Sequence, residues 1–276
     1  MGSATLALGL AAMIVSGWVE SFFFYPDNVR YSAPGQFGLK AEDVWLRAVD
    51  GSRLHAWFLP AQGGTAARGT VLHLHGNAAN VSNHLPLVAW LPAQGYNVVT
   101  LDYRGFGKSE GKPSLDGVVD DAAVALAYLR TRPDVDADRL IVLGQSLGGA
   151  TALRLLARDP AGVRLAIIEA AFTGYRTIAR DATVGPLAAL VPLAVSVLPP
   201  PDQDPIAALA HIRVPLIFVH GTRDRVIPEQ HSAALHAAAI SNKHLWIVPN
   251  GEHVATFVTD GEWRRKLVLA MNDAVR

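Results

Sequence analysis

Residues 140–155, LIVLGQSLGGATALRL, constrain the fold of this chain more than any other stretch. Residues 140–143 form a short apolar run of the kind that makes a buried strand, and from Leu147 the apolar residues recur at helical spacing. At the junction stands Ser146, with Gly144 and Gly148 two positions to either side. The missing β-carbons leave room for a very tight turn, in which a serine can take a strained conformation with its hydroxyl raised. The helix that starts there directs its unpaired N–H groups at the same place. The spacing G-x-S-x-G is weak evidence by itself; its position between a strand and a helix is what gives it weight.

The rest of the chain repeats this alternation. Residues 43–61 read as a hairpin turned at Asp50-Gly51, and TVLHLHG is a strand ending at Gly76. A helix over about residues 80–94, interrupted near Pro86 and closed by Gly95, leads to the strand YNVVTL. Pro113-Ser114 opens the next helix, and further strands are RLAIIEAAF, VPLIFVHG and HLWIVPNG. Helices over residues 228–240 and 262–275 complete the series. With the 140–143 strand this predicts an α/β fold: a mostly parallel, eight-stranded sheet with helices on both faces. Residues 171–213 are the one long irregular piece, too short for a second domain and suited to a short cap insertion. Within it, apolar residues 185–198 read equally well as a wall for an acyl chain or as plain packing.

Parallel sheets bind and react at the carboxyl ends of their strands. A serine hydroxyl there needs a base to take its proton, and the base needs an orienting acid. Asp224 follows one late strand, in IFVHGTRDRVIP, and His253 follows the last, in LWIVPNGEHVATF. Ser146, Asp224 and His253 are therefore the expected nucleophile, acid and base, in the chain order Ser…Asp…His. Glu169, at the end of LAIIE, is the rival acid; otherwise it reads as a pocket wall or brace. His73 and His75 share one face of a strand, but no third ligand follows at a matching strand end, so no metal is expected.

Charge and composition narrow the alternatives. Lys+Arg and Asp+Glu both number 24, so there is no general attraction to nucleic acid or to an anionic surface. There is no cysteine, which excludes disulfides, thiolate catalysis and Cys-based zinc sites. Residues 4–19 carry no charge, and as a helix they would reach ~24 Å, short of the ~30 Å hydrocarbon layer. Residues 1–30 are thus expected to be a hydrophobic N-terminal helix or anchor preceding a domain over residues 31–276. Three readings stay open for it: association with a membrane through residues 4–25, packing on its own domain or on a second copy as a homo-oligomer, and a cleaved signal. The expected location is accordingly membrane-associated, the side unspecified, with a cytoplasmic protein as the alternative.

Five motifs in order, HGNAAN at 75–80, DYRGFGKSEG at 102–111, GQSLGG, HGTRDRVIP and GEH, make the chain resemble the α/β-hydrolase superfamily after about residue 30. In particular it resembles single-domain serine hydrolases related to monoacylglycerol lipases and protein depalmitoylases. The resemblance implies an oxyanion hole formed by the backbone N–H groups of Asn77 and Leu147, with 102–104 bracing the surrounding loops. It implies cleavage of a small-molecule acyl ester without a cofactor. An amidase or peptidase would use the same three side chains, and a non-catalytic, membrane-tethered binding protein on this fold is the reading from a different class.

Overall fold

The computed structural model describes residues 23–64, 66–182, 198–258 and 261–276. Its main sheet has the eight strands expected: β1 (Glu42–Arg47), β2 (Arg53–Leu59), β3 (Gly69–Leu74), β4 (Tyr96–Leu101), β5 (Leu140–Gln145), β6 (Val163–Glu169), β7 (Leu216–Gly221) and β8 (Lys243–Val248). Their order is β1-β2-β4-β3-β5-β6-β7-β8. β2 runs antiparallel to both neighbours, and every pairing from β4 to β8 is parallel. The hydrolase-like architecture expected from the motifs is thus present.

Both faces of the sheet are covered, which is why its central strands read as unbroken apolar runs. Leu140 and Val142 of β5 face a core shared with helices α2 (Gly117–Thr131) and α3 (Leu147–Arg158). Ile141 and Leu143 face the opposite core, with α1 (Val81–Val88) and α7 (Glu262–Ala274). α1 follows β3 and α3 follows β5, so the chain leaves these adjacent strands towards opposite faces. The loops therefore diverge at that point, at the carboxyl edge of the sheet where such folds bind their ligands.

The helix expected over 80–94 divides into α1 and a short turn, Pro92–Gln94. Asn80 caps α1 by accepting from Ser82 N–H at 2.9 Å. Pro86 sits inside α1 and cannot donate to the carbonyl four residues back; that carbonyl, on Ser82, accepts from the Ser32 hydroxyl instead.

Of residues 1–30, the first 22 lie outside the described residues, as does most of the 4–25 stretch. Beyond them Phe24 is buried in the core, and Tyr25–Pro26 pairs in parallel with Ala78–Ala79. In the insertion, residues 183–197 lie outside the described residues, and with them nearly all of the apolar 185–198 segment. Its described parts include α4 (Tyr175–Ala182) and α5 (Pro205–Ala208). They are joined where Tyr175 N–H donates to Asp204 Oδ1 at 2.9 Å and Ile206 N–H to the Thr173 carbonyl at 3.0 Å.

Candidate active site

β5 ends at Gln145 and α3 begins at Leu147, leaving Ser146 alone at the corner with φ 55° and ψ −118°. Residues with a β-carbon rarely adopt that conformation, so the surroundings must hold it. Ser146 N–H donates to the Glu169 carbonyl at 2.8 Å, and the Ser146 carbonyl accepts from Gly149 and Ala150 at 3.0 and 3.2 Å. A β-carbon at Gly148 would overlap the Leu74 carbonyl oxygen at the end of β3, so glycine alone lets α3 start this close to the sheet. Backbone strain recurs around the same edge, in Ala79 (φ 60°), Ala170 (φ 51°) and Val254 (φ 48°). The last is β-branched and directly follows His253.

Asp224 and His253 are brought together by two loops zipped side by side. Thr222 N–H donates to Val248 O at 3.0 Å, Arg223 N–H to Gly251 O at 2.8 Å, and Asn250 N–H to Thr222 Oγ1 at 2.9 Å. A β-carbon on Gly221 would overlap the Gly251 backbone, so this approach depends on glycine. The wholly buried Asp224 carboxylate accepts on Oδ1 from the N–H groups of Val226 (2.8 Å) and Ile227 (2.9 Å). Its Oδ2 accepts from His253 Nδ1 at 2.7 Å and lies 3.3 Å from His220 Nε2. Burial alone would raise the Asp224 pKa, but hydrogen bonds from His220, His253 and Ile227 outweigh it and hold the carboxyl well below the usual range.

Among the described residues no hydrogen bond joins the Ser146 hydroxyl to His253. The two belong to one neighbourhood nonetheless. A β-carbon at Gly76 would lie 3.6 Å from Ser146 Cβ and 3.5 Å from His84 Cε1, and the charge of His253 acts on both His84 and Glu169. Catalytic hydrogen bonds commonly tighten only when substrate is present.

Asn77 follows β3, and its carbonyl accepts from Tyr25 N–H at 2.8 Å. Leu147 is the first residue of α3, so its N–H has no intrahelical acceptor. The loop that carries Asn77 is braced by residues 102 and 103. Asp102 Oδ1 accepts from Val81 N–H at 2.8 Å, Oδ2 faces His55 Nδ1 at 3.3 Å, and the Tyr103 hydroxyl donates to His75 O at 3.2 Å. Glu169 does not bond His253; it accepts from Gln145 Nε2 (2.6 Å) and Thr256 N–H (3.0 Å), and burial raises its pKa. His73 is committed to Thr100 and Gln145, each at 2.9 Å, and burial takes its pKa down to about 3.

His220, within HGTRDRVIP, has no part in the expected Ser146, Asp224 and His253 set. The available signal was a histidine at the end of an apolar strand, four residues before the acid.

The chain and its fold resemble known proteins. Residues 65–200 match the family model described as "Serine aminopeptidase, S33". The chain is 42% identical to the protein YfhR of Escherichia coli (strain K12), itself described as uncharacterized, over 240 residues that cover 86% of this chain and 81% of that one. It is 36% identical to the alpha/beta hydrolase domain-containing protein WAV2 of Arabidopsis thaliana over 248 residues, covering 85% and 80%. The fold superposes on the esterase Pf2001 of Pyrococcus furiosus with a TM-score of 0.74 at 22% identity, covering 91% of this chain and 100% of that one.

Proposed function

The chain belongs to the α/β-hydrolase superfamily, and from that premise we propose that it cleaves carboxylic acyl esters through an acyl-enzyme on Ser146. The observation that carries this reading is the 2.7 Å bond from His253 Nδ1 to Asp224 Oδ2, at the sheet edge where Ser146 is held in its strained corner. With its Nδ1 proton committed to a carboxylate, the neutral imidazole keeps Nε2 free to act as a base. Ser146 attacks the ester carbonyl while His253 takes its proton, and Asp224 stabilises the imidazolium. The N–H groups of Leu147 and Asn77 receive the oxyanion. The alcohol leaves with the proton held by His253, and water clears the acyl group by the same route.

Ser146→Ala abolishes both turnover of p-nitrophenyl acyl esters and labelling by a fluorophosphonate probe; labelling that persists at another residue overturns the assignment. Asp224→Asn lowers kcat by ~10³–10⁴, as in other triad enzymes. Near-normal turnover in that variant would transfer the role of acid to Glu169.

The description of the matching family model favours a second reading, hydrolysis of an amide by the same residues. Rates on aminoacyl anilides against p-nitrophenyl esters of increasing chain length separate the two and define the acyl pocket. Failure of the wild type to label at all would leave a binding protein on this fold. Residues 4–25 are proposed to associate with a membrane, supported by the uncharged run 4–19. Among the described residues no helix is long and apolar enough to cross one. Sedimentation of the full chain with lipid vesicles tests the association.

A further inference from the structure

The nucleophile, base and acid require one imidazole, yet the acid meets two. His220, the penultimate residue of β7, has no exposed surface, and its Nε2 lies 2.9 Å from the Ile227 carbonyl and 3.3 Å from Asp224 Oδ2. A carbonyl oxygen can only accept, so the proton of a neutral His220 ring must be on Nε2. The other ring nitrogen, Nδ1, lies 2.7 Å from Ser232 Oγ on α6 (Gln230–Ala238), where it can accept the hydroxyl proton. The result is a directed chain: Ser232 O–H donates to His220, and His220 N–H donates to Ile227 O, with the carboxylate oxygen that receives His253 3.3 Å from the same nitrogen.

We propose that His220 is a positioning residue for hydrolysis, its tautomer set by Ser232 and Ile227, which orients Asp224 and restrains that carboxylate's pull on the His253 proton. This rests on the serine-hydrolase reading above. A second N–H beside Oδ2 offsets part of the carboxylate charge and weakens its hold on the His253 proton. It also fixes the plane of the carboxylate, and with it the direction of the His253 ring. The titratable groups around this chain come from each neighbouring element. Asp224 lies in the turn after β7 and His253 in the loop after β8. His231, on α6 beside Ser232, feels the charge of His220 and is itself held by Asp181 at 3.0 Å. Glu169, at the end of β6, feels His253.

The test compares the pH dependence of kcat/KM for the wild type, His220→Leu, His220→Gln and Ser232→Ala, alongside thermal unfolding and fluorophosphonate labelling. Without the second donor Asp224 holds the His253 proton more tightly, so the acid limb of His220→Leu moves to higher pH and kcat falls about ten-fold. His220→Gln restores an N–H and recovers most of both. Ser232→Ala shifts the limb in the same direction by less, and it decides the matter if His220→Leu does not fold. Acid limbs that stay in place in all the folded variants, with only the melting temperature lowered, overturn the proposal. So does a ¹⁵N-histidine spectrum of the wild type showing neutral His220 protonated on Nδ1. A wild type that neither turns over nor labels fails the hydrolase reading; a wild type that turns over beside unmoved variants fails this proposal alone.

Discussion

Asp224 keeps a full charge although its side chain has no contact with water, because each of its oxygens has donors from the surrounding loops. That charge is linked to stability. The folded carboxyl titrates below its unfolded counterpart, so its contribution is complete above the unfolded value near ~4 and is lost as pH falls towards the folded one. Asp224→Asn is therefore less stable than the wild type at pH 7, and the difference narrows as pH drops from about 5 towards 2. Urea unfolding at several pH values measures this; a gap independent of pH would mean that the carboxylate charge is not what stabilises the fold. The positions of Ser146, Asp224 and His253 were legible because each stands just past an apolar strand. The partners of Glu169 and His220 were not. Gln145 is 24 residues from Glu169 and Thr256 is 87 residues from it, and only the register of β5 beside β6 and the path of the last loop bring them within reach.

At the scale of elements, periodicity located every strand of the main sheet and most helices, while boundaries followed details that periodicity does not contain. The helix expected to open at Pro113-Ser114 begins at Gly117, whose N–H donates to Ser114 Oγ at 3.0 Å. The pairing of Tyr25–Pro26 with Ala78–Ala79 was not legible, since two residues carry no recognisable period. Its bond from Tyr25 N–H to the Asn77 carbonyl holds the residue whose own N–H is proposed to receive the oxyanion. Tyr25→Pro deletes that donor and lowers kcat about ten-fold with little change in KM. Tyr25→Ala keeps the N–H and removes only a mostly exposed ring, so it behaves as the wild type. Equal effects of the two substitutions in steady-state kinetics would argue against a backbone role.

For the molecule as a whole, alternation of strands and helices indicates a parallel sheet but leaves the strand order open. The divergence of the loops after β3 and β5 arises from that order, with β3 between β4 and β5 and the chain departing to opposite faces. The core on one face includes Phe24, with Phe23 packed against it: Phe24 meets Phe106 at 6.3 Å between ring centres and Phe23 meets Tyr175 at 5.8 Å. A shortened protein starting at Phe23 keeps these contacts. One starting at Tyr31 loses stability and most of its rate, which calorimetry and kinetics read directly. The little parallel ribbon at Tyr25–Pro26 also works as a handle. Any load applied on the N-terminal side, by a tether, a fusion partner or a solid support, reaches the loop that carries Asn77 directly after the Phe23 and Phe24 contacts.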